Sequence, residues 1–316
     1  MDDDTWKMVL DTSDDFFDRG DTTLVDELAL AGITPMIATE PSRWGTIMRR
    51  QGFRLGRSQL VDVFAAGADH ERELGVVLPF PPSDATPTRQ FCDRLEVDGL
   101  VTSENLSTVL LATESTLFTA SIDNFAVTEL DTIDPESGWR AIRGFVPARK
   151  VVTLGPGSWS DLLHRSAIAL GWELVGVADR AIETVITYAT GREQFGSPLT
   201  AKQTVRHRIV DATIRRQAAI DALLVADDLD AVDDLSWMTA KALAGEAAAE
   251  AVAVAQQICG AMGFTDEFGL HRSVRRSVML DSVLGEHHTL TERIGARLRT
   301  RGSTPCQLSA PPAIDI

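Results

Sequence analysis

Apolar residues recur at intervals of three and four along most of this chain, and that period marks helices of very different length. Over the first 80 residues the repeats are short. TWKMVLDTSDDFFDRG, TLVDELALAGI and SQLVDVFAAGADHERELG each predict a helix, with Gly20, Gly32 and Gly75 at or near their ends as punctuation. A proline-rich loop, PFPPSDATPT, follows at 79–88. From about 97 to 155 the pattern changes to runs of β-branched residues. LSTVLLATESTLFTASIDNFAVTEL, interrupted at Asp123 and Asn124, together with GWRAIRGFV and KVVTLG, predicts a small, mostly antiparallel sheet of about five strands.

Beyond Ser158 the helical period returns and runs to the end. Ser158 with Asp161 three residues on marks a helix start. Leu162, Ile168, Leu174, Val175, Ala178, Ile182 and Val185 then keep helical spacing over about 30 residues, or roughly 45 Å. Comparable helices are expected over about 200–227, 235–263 and 271–300, with breaks at Gly196 and Pro198, Asp233 and Asp234, and Gly269. Four long helices with short connections make an antiparallel bundle. The fold class is therefore mainly α with a small β-domain (α+β). N-terminal helices occupy 1–96, the β-domain 97–157 and the four-helix bundle 158–300, followed by a loosely ordered, proline-bearing tail at 301–316.

At 316 residues the chain can bury a sizeable core in two or three packed units. Its formal charge of −16 opposes non-specific binding to phosphodiester backbones and to anionic membranes. An anionic ligand must then be met locally, by arginines and helix N-termini. The start, MDDDTWKMVL, has no basic or apolar leader, and no run of about 18 apolar residues occurs, so a cytoplasmic protein is expected. Cys92, Cys259 and Cys306 have neither metal nor disulfide spacing and read as packing or surface thiols. His287 and His288 beside Glu286 lack a third ligand at helical spacing and read as a solvated helix end.

Two stretches carry more specific chemistry. YATGREQFGSPLTAKQTVRHRIVD resembles a segment of the acyl-CoA dehydrogenase family in which Tyr, Arg, Phe-Gly, Pro and Gln precede a helix. Here these are Tyr188, Arg192, Phe195, Gly196, Pro198 and Gln203, with Asp211 further along. QICGAMGFTDEFGLHRSVRR resembles that family's glutamine and glycine-rich turn between its last two helices, at Gln257, Gly260, Gly263, Phe264 and Glu267. GFVPARKVV resembles the family's exit from its β-domain, at Val146 and Pro147.

The resemblance implies that Arg192, Phe195, Gln203, Gln257, Gly260 and Gly263 reach across a subunit interface to hold the pyrophosphate and adenosine half of a neighbour's FAD. Arg192 offers a planar fork for phosphate, Gly260 a close backbone approach and Phe195 an apolar wall. On the residues alone, Thr200 with Gln203 also reads as a capping box, and Gly196 with Pro198 as turn chemistry.

Other positions depart from the family. The Glu-Gly-Thr loop that bears the family's α-proton base falls on Leu284, Gly285 and Glu286, and a second family position for that base falls at about Ser166. Leu162 to Leu170 contains no carboxylate, which leaves Glu286 as a displaced catalytic candidate or a solvated surface group. The family's Gly-Ser-Asp segment and Trp-bearing strand have no equivalent between 79 and 111. The departures resemble the shorter, base-lacking subunit of heteromeric actinobacterial acyl-CoA dehydrogenases. They imply a homologous partner subunit that supplies the glutamate, an acyl-CoA substrate such as a steroid side-chain thioester, and an electron-transfer flavoprotein as acceptor. A self-sufficient homo-oligomer using Glu286 and a non-catalytic scaffold stand as the other readings.

Overall fold

The computed structural model describes residues 2–20, 24, 25, 28, 41–67, 74–103, 106–227 and 234–301. Helix α1 (Asp3–Arg19) starts where Thr5 N donates to Asp2 Oδ1 at 2.8 Å, and stops at Gly20 in the left-handed region. Helices α2 (Pro41–Arg54) and α3 (Leu60–Ala66) follow. The helix expected from TLVDELALAGI and the tail expected at 301–316 lie largely outside the described residues, as do Gly32 and Cys306.

Helix α2 was not among the expected elements, although Trp44, Ile47 and Met48 give it a short buried apolar stripe. It also meets the long helix α4 (Trp159–Gly191) through glycines. A Cβ on Gly52 would stand 2.0 Å from Glu173 O, and one on Gly176 would stand 1.9 Å from Arg49 O. The two backbones touch at these glycines, so part of the contact face reads as gaps in the apolar pattern.

The strand region corrects the expectation of one five-stranded sheet beginning near 97. Pairing begins at Leu74, and eight strands form two four-stranded sheets. One sheet has the order β1-β4-β5-β8, from β1 (Leu74–Val76), β4 (Thr108–Ala112), β5 (Thr116–Ser121) and β8 (Val152–Pro156). The other has the order β2-β3-β7-β6, from β2 (Thr88–Gln90), β3 (Arg94–Val101), β7 (Arg140–Pro147) and β6 (Ala126–Glu129). β1 pairs parallel to β4, and the other described pairs are antiparallel. Strands β1 and β2 are three residues each, too short to show alternation, and Gly75 lies inside a strand rather than ending a helix. Val97, Leu111, Phe118, Ile142 and Val146 make a core of their own in the β-domain.

The C-terminal bundle begins as expected, with a capping box at Ser158 and Asp161 and all seven apolar positions of the α4 pattern buried. α5 (Gln203–Ala226) and α6 (Asp234–Cys259) follow. Two expectations fail. Lys202, not Thr200, caps α5, without a side-chain bond to the first amides, so the Thr200–Gln203 capping box does not form. The fourth long helix is two, α7 (Leu270–Ser282) and α8 (His287–Arg301), because Leu284 and Gly285 take left-handed φ of 60° and 105°.

A buried ionic cluster ties the parts together. Arg276 on α7 donates to Asp134 of the β-domain, to Glu173 on α4 (2.8 Å) and to Gly56 O (3.0 Å). Gln51 on α2 donates to the second oxygen of Glu173 at 3.1 Å and accepts from Ser58. Burial pushes the Glu173 carboxyl above its ordinary range against the pull of Arg276.

Candidate functional site

α4 ends at Arg192, whose amide donates to Tyr188 O at 2.9 Å. The chain then folds into a two-stranded hairpin, β9 (Glu193–Gln194) against β10 (Ser197–Pro198), with Ser197 opposite Gln194. Phe195 and Gly196 form the two-residue turn, at φ of 54° and 75°. Hairpin turns of this kind need left-handed conformation at both central positions, which suits Gly196 and strains Phe195 by about 1–2 kcal/mol. The Phe195 ring is also 93% exposed. An aromatic side chain that is both strained and unburied gains nothing for the isolated fold, which marks the turn as a contact surface.

Positive groups gather beside it. Lys202 Nζ donates to Ser197 Oγ at 2.8 Å and lies 5.8 Å from the Phe195 ring centroid. The first turn of α5, starting at the exposed Gln203, has no side-chain cap and presents free amides with the positive end of the helix dipole. Arg192 is exposed at the hairpin's root.

The glycine-rich turn comes to the same end of the bundle. Phe268 meets Tyr188 edge-on, with ring centroids 5.6 Å apart and planes at 83°. The last turn of α6 exposes Gln257, and the turn between α6 and α7 exposes Met262 and Phe264, the last at 70%. Gly260 is left-handed with open space where a Cβ would project. Gly263 differs: it is buried, and a Cβ there would lie 3.2 Å from Cys259 Cβ and 3.3 Å from Leu270. Its local reason is packing. The fold thus brings Arg192, Phe195, Gln203, Gln257 and Gly260 to one exposed end, with Gly263 beneath. Uncapped amides, the Arg192 and Lys202 cations and exposed aromatic rings fit the pyrophosphate and flat ring of a dinucleotide.

The expected base positions look different. Leu284 is fully buried at the α7–α8 junction, Ser166 is fully buried with its hydroxyl unpartnered among the described residues, and Glu286 is exposed. The junction is held from below by Lys241 of α6, which has no exposed surface. Its Nζ donates to Asp281 O at 3.1 Å and lies 3.4 Å from Gly285 O and 3.7 Å from Asp281 Oδ1. Asp281 Oδ2 is 2.6 Å from His287 Nδ1. Gly245 makes room for that carboxylate, since a Cβ there would fall 2.0 Å from it. Burial draws the Lys241 ammonium down to about 8, against Asp281.

The solvated reading of His287 is therefore corrected: it is mostly buried and bound to Asp281, while His288 is exposed. Asp281, Glu286 and His287 bring one ligand atom each within 4.8 Å, but the Lys241 ammonium already serves as the cation there. A lone lysine in the alanine-rich helix MTAKALAGEAAAEAVAVA, and an arginine at a buried register of α7, were the available sequence signals for these clusters. Cys92 is exposed and Cys259 buried, and no described helix is long and apolar enough to cross a membrane.

Comparison with known proteins gives this geometry a setting. Residues 157–299 match the acyl-CoA dehydrogenase C-terminal domain. Acyl-CoA dehydrogenase IpdE2 of Mycobacterium tuberculosis is 33% identical over 112 residues, 35% of either chain. Its namesake in Mycolicibacterium smegmatis is 24% identical over 198 residues, 63% of this chain and 61% of the relative. These matches span less than two thirds of the relatives' lengths. Among solved structures, a Tcur3481–Tcur3483 steroid acyl-CoA dehydrogenase variant superposes with a TM-score of 0.76 at 22% identity over 93% of each chain. The ChsE4–ChsE5 complex of M. tuberculosis gives 0.73 at 19% over 95% of this chain and 96% of that one. Residues 157–299 thus match an acyl-CoA dehydrogenase C-terminal domain, in a chain that shares the fold of solved acyl-CoA dehydrogenases over nearly all of its length.

Proposed function

We propose that this chain is a subunit of an FAD-dependent acyl-CoA dehydrogenase, and that it grips the distal half of a flavin whose reacting ring lies in a homologous partner. The strained, 93% exposed Phe195 beside Arg192 carries the reading, because the isolated fold gives that ring only the Lys202 ammonium and no packing neighbour. When bound, FAD supplies the hydride acceptor for α,β-dehydrogenation of an acyl-CoA thioester. The residues of this chain bind and orient it. Arg192, Lys202 and the first amides of α5 neutralise the pyrophosphate, while Phe195 and Phe264 cover the adenosine and exclude water.

A buried leucine at 284 and a serine at 166 give this chain no carboxylate in either expected base position, so the partner supplies the α-proton acceptor. The likeness to a steroid acyl-CoA dehydrogenase and to the ChsE4–ChsE5 complex favours a heteromer and a bulky, steroid-derived acyl group. An electron-transfer flavoprotein is the proposed acceptor.

Co-expression with a candidate partner and measurement of flavin per complex tests the assignment. Arg192→Ala should leave the complex intact by size-exclusion chromatography and lower its flavin content, while Glu286→Gln should leave turnover unchanged. Full flavin occupancy in Arg192→Ala would remove the proposed role of this segment. Loss of turnover in a folded Glu286→Gln complex would move the base to this chain.

A further inference from the structure

α2, the C-terminal half of α4 and the turn before α7 line an open cavity of about 390 Å³. Its walls are Phe53, Tyr188 and Phe268, with Arg180, Thr184 and Thr187 between them. The volume falls at the lower end of the range for small-molecule sites, about 300–1,000 Å³. A second cleft along the same groove shares Phe53 and Glu183 with it.

Arg180 stands out among the arginines here. Arg49 and Arg216 both engage Asp179, Arg50 and Arg54 both engage Asp14, and Arg272 engages Glu136. Arg180 donates only to Phe53 O, at 3.1 Å, and no carboxylate of the described residues comes within ion-pair distance of it. Burial lowers its pKa, Arg272 and Arg54 add to the effect, and Glu183 and Asp18 oppose it. A half-buried guanidinium whose neighbouring carboxylates stay beyond ion-pair distance is stabilised by an incoming anion.

The rest of the lining restricts that anion. Tyr188 and Phe268 present an edge-to-face aromatic pair, opposite which Phe53 supplies a third ring. Glu183 lies in the same lining and repels a dianion more strongly than a monoanion. We propose that this cavity binds a small monocarboxylate with an aromatic or alicyclic body, its carboxylate on Arg180 and its ring against Tyr188, Phe268 and Phe53. The site adjoins the root of the Arg192 hairpin, where the Arg192 amide donates to Tyr188 O, but its proposed contacts use neither Arg192 nor Phe195.

Isothermal titration of the full chain, in whatever complex it purifies as, with hydrocinnamate tests this. The expected result is a single saturable site that weakens about tenfold or more in Arg180→Gln, the scale of one charge-assisted hydrogen bond. The neutral hydrocinnamide should lose a similar factor, and inorganic phosphate should not compete. Should Arg180→Gln fail to fold, Arg180→Lys and the amide comparison decide the question on folded protein. Absence of saturable binding, or equal binding of acid and amide, would overturn the proposal. So would binding that occurs only after a partner subunit is removed, which would show that a partner side chain fills the cavity.

Discussion

Replacing Arg276 with methionine removes the cation from a buried cluster while keeping much of the stem that packs around it. Asp134 and Glu173 are then left facing one another, and Gly56 O loses its donor. Breaking a buried ion pair from one side costs about 3–5 kcal/mol, and two carboxylates lose their partner here, so the upper part of that range is expected at alkaline pH. Glu173 supplies a relief. Burial already raises its pKa, and without Arg276 the rise is larger, so the variant protonates it more readily.

A carboxyl with a raised folded-state pKa favours the folded state fully below its unfolded value, and that contribution disappears as pH climbs through the folded value. The deficit of Arg276→Met relative to wild type should therefore be small near about pH 4–5, in the ordinary carboxylate range, and grow toward about pH 8. Urea unfolding followed by tryptophan fluorescence at both pH values reads it. A deficit of the same size at both, or one below about 1 kcal/mol at the higher pH, would refute the view that this cluster holds the three parts together.

Lys241 should show the opposite slope: with its pKa drawn down to about 8, wild-type stability gains between about 8 and its ordinary 10.5, and Lys241→Met should lose that gain in urea midpoints across the interval. Gly176→Ala forces a Cβ toward Arg49 O and should destabilise by about 1–3 kcal/mol or more, with a lowered melting temperature, whereas an unchanged one would mean the α2–α4 crossing yields freely. Phe195→Gly should leave the chain as stable or up to about 1 kcal/mol more so, by relieving the left-handed strain, while flavin retention by the complex falls. Destabilisation with flavin content intact would make Phe195 a structural residue.

What was legible depended on how each part is held. α4 announced itself because its buried face is apolar along its whole length and its start is a side-chain capping box. α2 did not, because its apolar stripe is short and glycines take up the rest of its face against α4. β1 and β2 are too short to alternate, so the sheets looked fewer and later than they are. The α7–α8 break hid inside a continuous helical period, since a leucine at positive φ carries no local signal and the lysine that fixes it lies in another helix. Gly196 with Pro198 signalled a turn but not a hairpin, because a phenylalanine stands where asparagine or aspartate would normally precede the glycine of such a hairpin. Arg192, Phe195, Gln203, Gln257 and Gly260 could be singled out by spacing and resemblance, but only the fold places them at one end of the bundle.

The most direct test of the central claim is the visible spectrum and subunit composition of the native complex purified through this chain. The account predicts a yellow complex containing a second, homologous acyl-CoA dehydrogenase subunit, with flavin lost when Arg192 is replaced by alanine. A colourless assembly that stays colourless after addition of FAD and the candidate partner would contradict it.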